Sequence, residues 1–458
     1  MHQLARFLLC GFMAISLSAP AFAMSLREAA QKAVSTHPGI GAARAAGRAS
    51  IWDFQASKAR LLPNLDVSAD AGAQYVDQPN NLTPKENAEW NFRRQAAAEA
   101  TQFLFDGWDR ANDIYRSAAL VGAASMRVME RSEALALEAV EAYIDVERHS
   151  LVLGLANQSR KRLQGILGLV RELNTGGKVP RSDVDQAVER IAASDAVIAQ
   201  IEQSLADAKA KFRQVVGNEP GRLERVAYPK NIPASRDSAY GTAKANNPAI
   251  KALEAQAAAA HYEMERAKSG YYPELSLRGR ASYGYDIDGV EGKDVDVTGV
   301  VGLEWNLFNG GATGYRVAAL NEEAARAELE RDAAIRSVRE SIDKAFAAYV
   351  IGKKRVAAAQ QQVDSNDRLV KQYREEYRLA KRSLLDLLDS ETALFSSQFQ
   401  LASAKAARLF SAYNIHASTG RLLATLGVQA PPEAHVDIPN PRQTGGILNF
   451  NIEPLRQD

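Results

Sequence analysis

The chain has 458 residues, 46% hydrophobic and 24% charged, a balance that excludes collagen-like, disordered and disulfide-scaffold classes and fits an ordinary folded protein. Its 56 Lys and Arg stand against 55 Asp and Glu, interspersed rather than bunched, which argues against a nucleic-acid or other polyanion partner. The single cysteine, Cys10, lies in the leader described next, so the rest of the chain has no disulfide, thiolate nucleophile or cysteine metal site.

Residues 1–23 run from His2 and Arg6 through an apolar stretch, Phe7 to Leu17, to Ala21-Phe22-Ala23. That pattern is a signal peptide cut before Met24. Cys10 follows Leu8-Leu9 with no apolar region upstream, unlike a lipidation site. Beyond Met24 no run of 18 apolar residues occurs, so no transmembrane helix is expected. Three destinations remain: the periplasm, the medium, or an outer-membrane barrel.

Length alone suggests about three domains, but internal repetition replaces that prior. An offset of 210 aligns Pro38, Ile40, Lys58, Pro63, Leu65 and Tyr75 with Pro248, Ile250, Lys268, Pro273, Leu275 and Tyr285. An offset of 203 aligns Phe105-Asp106-Gly107 with Phe308-Asn309-Gly310, Tyr143 with Phe346, and Asp183 with Asp386. The chain is read as two repeats, 24–224 and 240–428, joined by a linker at 225–239 and followed by an irregular, proline-bearing tail at 429–458.

Each repeat reads as a helix, a strand pair and two long helices. The first strand pair is expected at 65–76 and 90–105, the second at 275–286 and 294–308. In the first, Leu65, Val67, Ala69, Ala71, Ala73 and Tyr75 alternate with Asp66, Ser68, Asp70, Gly72 and Gln74; in the second, Val295, Val297, Val301 and Leu303 alternate with Asp296, Thr298 and Glu304. Segments of about ten residues with one apolar face and aromatics near their ends match outer-membrane barrel strands; a soluble sandwich is the alternative. On the barrel reading Val67, Ala71, Val297 and Val301 face lipid. Four strands cannot close a barrel, and an open edge in lipid leaves backbone groups unpaired, so further copies of the chain must complete the sheet.

Long helices are expected at 110–175, 182–216, 315–380 and 384–424. Residues 110–172 contain no proline and are rich in Ala, Leu, Glu and Arg. After Gly176, Gly177 and Pro180 an apolar seam runs Val184, Ala187, Ile191, Ser194, Ile198, Ile201, Leu205, Ala208, Phe212, Val215; its counterpart starts Leu385, Leu388, Thr392, Phe395, Phe399. Alternating steps of three and four make a coiled-coil seam. Each repeat therefore forms an antiparallel coiled-coil pair turning at 176–182 or 380–384. No hydrolase, nucleotide-loop or zinc motif is present and the histidines stand far apart, so no catalytic residue, cofactor or metal is expected.

Duplicated helix-strand-strand-helix halves, Phe105-Asp106-Gly107 and Leu307-Phe308-Asn309-Gly310-Gly311 after the strands, and the coil turns together resemble the TolC-like outer-membrane channels. The likeness spans about residues 26–428. It implies a mixed α+β membrane protein that forms a homotrimer, with a twelve-stranded β-barrel in the outer membrane of a Gram-negative bacterium and an α-helical barrel across the periplasm. It further implies a passive duct serving an inner-membrane ABC transporter or proton-driven pump through a periplasmic adaptor, a membrane fusion protein. The stretch Gly176 to Ala187 is more similar to the type I protein secretion branch than to multidrug or small-molecule efflux members. A soluble periplasmic coiled-coil adaptor is the competing class.

In the family the inner coil turn carries Tyr, Gly, Arg, Asp and Asp, and here Tyr377, Arg382, Asp386 and Asp389 stand at those places, with Ala380 in place of the Gly. Tyr377 and Arg382 are thereby expected to latch the periplasmic end through Ser182 and Asp183, while Asp386 and Asp389 form an acidic constriction ring. On residues alone, those two aspartates equally suit a helix N-terminus. Trp108 departs from the pattern, replacing the second Gly after the first strand pair.

Overall fold

The computed structural model describes residues 23–77 and 89–436. The leader up to residue 22 and the tail from 437 onward lie outside them. The elements are α1 (Leu26–Thr36), α2 (Pro38–Ala59), β1 (Asn64–Val76), β2 (Glu89–Phe105), α3 (Asp109–Thr175), α4 (Arg181–Val216), α5 (Arg236–Asn246), α6 (Pro248–Ala267), β3 (Glu274–Ile287), β4 (Val290–Glu304), α7 (Ala312–Arg378), α8 (Leu384–Ser418) and α9 (Leu422–Leu426). Both α3 and α7 have 67 residues, each about 100 Å long at 1.5 Å per residue. The chain divides into two compact units.

Two expectations need correcting. The leading helix of each repeat is two helices, because Pro38 and Pro248 end one and start the next with a fixed φ and no N–H to lose. His37 Nδ1 accepts the Gly39 N–H at 3.0 Å, and Asn247 Oδ1 accepts those of Ala249 and Ile250. The last strand is Val290–Glu304, four residues earlier than 294–308. Asp288 and Gly289 both take positive φ, the tight hairpin turn that an Asp-Gly pair favours, and Ile287 pairs with Val290.

The unit containing Val34–Ala136, Lys230–Ala347 and the chain from Asn414 onward holds the sheet. Its order is β1-β2-β3-β4, all antiparallel. Beneath the strands, Phe54 of α2 packs with Ile114, Ala118 and Val121 of α3. Arg60 pairs with Asp109 at 2.9 Å and Asp113 at 2.7 Å, and Arg266 of α6 reaches Asp109 at 2.9 Å, so the helix ends under the sheet share one ionic cluster. Farther along α3, buried Glu133 accepts the N–H groups of Leu422 at 2.9 Å and Leu423 at 3.3 Å, capping α9. Burial pushes its carboxyl up to about 7 against the lowering effect of those bonds.

The unit containing Leu137–Pro229, Ala348–Tyr413 and the residues up to Ala33 is coiled coil. Its α4 buries Ala187, Ile198, Ile201, Leu205, Phe212 and Val215. The α8 seam departs from expectation at its start. Leu385 is exposed, and Leu384, Leu387 and Leu388 turn inward against Leu163, Ile166 and Val170 of α3, because the apolar face of α8 widens there to meet the α3 side chains. The Tyr143 hydroxyl lies within hydrogen-bond reach of the Met24 and Glu224 carbonyls, at 2.6 and 2.8 Å, holding two extended segments that bridge at Met24 and Leu223.

Strand-to-helix transitions are the same in both repeats: Gly107 and Trp108, like Gly310 and Gly311, take positive φ. A Cβ on Gly107 would lie 2.8 Å from the Ser269 carbonyl oxygen, whereas one on Gly310 would meet nothing within 4 Å. Gly310→Ala should therefore lose only the left-handed backbone preference, about 1–2 kcal/mol. Gly107→Ala should lose more, because the turn at residues 268–271 must move; paired thermal melts check this, and equal losses would contradict it.

Candidate functional site

The coil turns are built by repeated backbone bonds. At the end of α3, Gly177 N–H donates to the Asn174 carbonyl and Lys178 N–H to that of Leu173, both at 2.9 Å. At the end of α7, Ala380 N–H donates to Tyr377 at 3.0 Å and Lys381 N–H to Glu376 at 2.9 Å. Both are Schellman caps, with φ of +67° at Gly177 and +55° at Ala380. Ala380 therefore bends the chain as a glycine does, at about 1–2 kcal/mol of strain. The helices that follow differ at their starts. Pro180 opens α4 with no side-chain cap, while Ser383 Oγ accepts the Asp386 N–H at 3.2 Å before α8.

Asp183, Tyr377, Ala380 and Arg382 line one cleft of about 340 Å³, with Lys178 and Gln186. Tyr377 is buried among Leu163, Ile166, Val170, Leu384, Leu387 and Leu388. Its hydroxyl has no hydrogen-bond partner among the described residues, and burial, with the negative charge of Asp183, pushes its pKa up. Arg382 turns back on its own coil: Nε donates to Glu376 at 3.0 Å, the guanidinium lies 4.2 Å over the Tyr373 ring, and Asp386 is 3.8 Å away. Within the chain, then, the expected bonds from Arg382 and Tyr377 to Ser182 and Asp183 are not formed, because Glu376 and Tyr373 stand nearer in sequence and occupy the guanidinium. Ser182 is exposed, outside the cleft lining. Asp386 and Asp389 are partly exposed, and each has an arginine at hand, Asp389 meeting Arg190 of α4 at 3.1 Å. A bare acidic pair is therefore not what the turn presents.

The sequence reading missed Glu391. Its carboxylate is fully buried and accepts from Arg162 of α3 at 2.7 Å and Arg374 of α7 at 3.1 Å, so one side chain of α8 ties three helices together. The signal was available: Leu384, Leu387, Leu388 and Glu391 follow the three-and-four spacing of a buried helical face, and an acid on such a face requires a partner.

In the sheet, register aligns Val67, Ala98, Ala281 and Val297 across all four strands, with Leu277 beside Val301 and Tyr285 beside Lys293. Opposed residues of an antiparallel pair share a face, so Val67, Ala71, Val297 and Val301 lie on one face. Val67, Val297 and Val301 are 76%, 79% and 65% exposed. Tyr75, Trp90, Tyr283 and Tyr285 gather at the hairpin end, and Phe105, Trp108 and Tyr272 at the helix end. Arg94 falls on this apolar face but lies 5.2 Å over the Tyr285 ring. The other face carries Asp66, Glu99, Arg280 and Thr298 in one row, and Arg93 pairs with Asp70 at 3.3 Å.

Comparison with known proteins agrees with this architecture. Residues 239–421 match the family described as outer membrane efflux protein. The chain is 24% identical over 379 residues to the outer membrane efflux protein BepC of Brucella suis biovar 1, covering 81% of this chain and 83% of BepC. It is also 24% identical over 409 residues to the alkaline protease secretion protein AprF of Pseudomonas aeruginosa, covering 87% and 84%. Its fold matches the outer-membrane channel OprN with a TM-score of 0.74 at 20% identity, over 86% of this chain and 90% of that one. Residues 239–421 thus carry the outer membrane efflux protein match, and the chain over most of its length is similar to the TolC-like channels of the Gram-negative outer membrane.

Proposed function

We propose that three copies of the chain assemble into a passive exit duct, their sheets closing a twelve-stranded barrel and their long helices continuing it through the periplasm. The observation that carries this is the sheet itself: four strands paired in one run, β1 and β4 each with one edge unpaired among the described residues, and an exposed apolar face. In lipid such edges must be paired by other strands, and a threefold ring of identical chains supplies them. Val67, Ala71, Val297 and Val301 then face lipid, and Asp66, Asp70, Asp296 and Glu304 the lumen. The driving energy comes from an inner-membrane ABC transporter or proton-driven pump coupled through a periplasmic adaptor. Protein secretion of the type I kind is the favoured cargo, supported by the Gly176–Ala187 stretch and the likeness to AprF; the likeness to BepC supports drug or small-molecule efflux as the second reading.

The periplasmic tip is the gate. Tyr377, Asp183 and Arg382 surround one cleft at the turn, Ser182 adjoins it in sequence, and Asp386 and Asp389, tempered by Arg382 and Arg190, ring the constriction. Glu391 fastens the inner coil to α3.

Membrane fractionation tests the duct directly: recovery of the chain in soluble periplasm, with no detergent-requiring trimer, would sink it. Val301→Arg should lower trimer yield, since a charge on the lipid face loses about 2–4 kcal/mol near the midplane, whereas Glu304→Arg should be tolerated; equal yields would reverse the facing. Because those bonds are not formed within one chain, the proposed latch joins neighbouring protomers; Arg382→Ser with Tyr377→Phe should then raise single-channel conductance in planar bilayers, and normal trimers with wild-type conductance would refute it. Glu391→Ala should lower stability by about 1–3 kcal/mol, because the partly exposed guanidiniums of Arg162 and Arg374 lose the buried acceptor that ties them together. Arg331→Ala, which breaks a surface pair with Asp332, should leave stability close to that of the wild type.

A further inference from the structure

At the helix end of the apolar sheet face a cavity of about 370 Å³ is lined by Trp108, Asn112, Tyr115, Glu265, Lys268 and Tyr272. Three features single it out. Trp108 holds a φ of +68°, a conformation that bulky L side chains avoid, at the place where the second repeat has Gly311. Strain of this kind concentrates at functional positions, and the indole, about half exposed, is fixed rather than loose. It meets Phe105 and Tyr272 edge to face, each at 5.2 Å between ring centroids. Asn112, second, is only 7% exposed and lines the cavity, so its amide is a polar group held within the wall. An amide at that place offers a ligand both a donor and an acceptor. Third, the wall carries both charges: Lys268 Nζ donates to Glu265 Oε1 at 2.8 Å, which uses one of the ammonium's three N–H groups and leaves the other two.

We propose that this cavity holds the headgroup of a zwitterionic aminophospholipid of the ethanolamine class. The proposal rests on the outer-membrane placement of the sheet. The phosphate accepts from Lys268 Nζ, the Asn112 amide and the indole N–H of Trp108. The ammonium meets the Glu265 carboxylate and the faces of Tyr115 and Tyr272, an arrangement that suits a cation. Acyl chains run from there along the exposed apolar face past Leu104 and Leu65. An anionic lipid with a neutral glycerol headgroup would satisfy Lys268 but bring no ammonium to the Glu265 carboxylate, so the site prefers the zwitterion. The repeats differ here: the counterparts of Trp108, Asn112 and Tyr272 are Gly311, Tyr315 and Leu62. Each chain thus carries one site and each trimer three.

The test is native mass spectrometry of delipidated trimer titrated with phosphatidylethanolamine, with phosphatidylglycerol, and with inorganic phosphate. Up to three molecules of phosphatidylethanolamine should bind per trimer, ahead of phosphatidylglycerol and undisturbed by millimolar phosphate. Lys268→Gln should weaken retention about tenfold, the loss of one charge-assisted hydrogen bond. Trp108→Gly should weaken it as well while leaving the melting temperature unchanged or raised, a combination that a purely structural tryptophan would not give. Equal retention by wild type, Lys268→Gln and Trp108→Gly would overturn the site. Equal binding of the two lipids would overturn the headgroup assignment, as would displacement by phosphate. The same spectra report the assembly: intact trimers without selective lipid count against this site alone, and monomers only count against the channel as well.

Discussion

Backbone hydrogen bonding in a medium without water governs this molecule. Inside the sheet each strand satisfies its neighbour, and the register runs unbroken from Asn64 to Val76 on β1. At the outer edges of β1 and β4 the N–H and C=O groups have no strand partner among the described residues, and in hydrocarbon each such group costs several kcal/mol. Many side-chain choices follow from that one requirement. The residues between the two aromatic ends of the exposed face are Val, Ala, Leu and Gly with few charges, and the charged rows lie on the opposite face, where Asp70 has Arg93. Rigid strand-to-helix turns then hand each strand pair to a 67-residue helix, so the hydrogen-bond demand of the sheet fixes where the coils begin.

A different balance holds the far end of the coils. Helix termini there need to end without exposing carbonyls to an apolar neighbour, and two Schellman caps accomplish it at equivalent places in the repeats. The apolar cluster behind them is interrupted by polar groups: the Tyr377 hydroxyl without a partner and the Glu391 carboxylate between two arginines. Ion pairs of this burial add little net stability over an apolar core, but they are expensive to break singly. Such a contact suits a joint that must hold one arrangement firmly, because intermediate positions leave charges unpaired.

Much of this was legible in the residues because two periodicities are so distinct. Alternation of two marked the strands around Val67 and Val297, and alternation of three and four marked the seam from Val184 to Val215. Duplication, read from Pro38 and Pro248, gave the architecture twice over, although the same prolines were read as landmarks rather than as helix starts. What escaped depended on three dimensions or on weak local signals. The Asp288-Gly289 turn set the start of β4, but Gly292, Lys293 and Asp294 blurred the alternation there. Arg382 carried a family spacing, yet its partner is decided by the nearby Glu376 and Tyr373. The spacing of Glu391 with Leu384, Leu387 and Leu388 marks it as buried, but its two arginines are 229 and 17 residues away in sequence, so the spacing does not name its partners.

Glu133 gives the unit around α9 a chemical dependence that packing alone would not. Its carboxyl is held near 7, against 4.5 when unburied, so between those values the folded protein keeps a proton that the unfolded chain has released. The stability this contributes is fully present below about 4.5 and is lost as pH rises through about 7. Folding of this unit is thereby linked to proton uptake: mild acid relieves the desolvation of the charge between α3 and the start of α9, and neutral or alkaline conditions leave a buried negative charge supported by two backbone N–H groups alone.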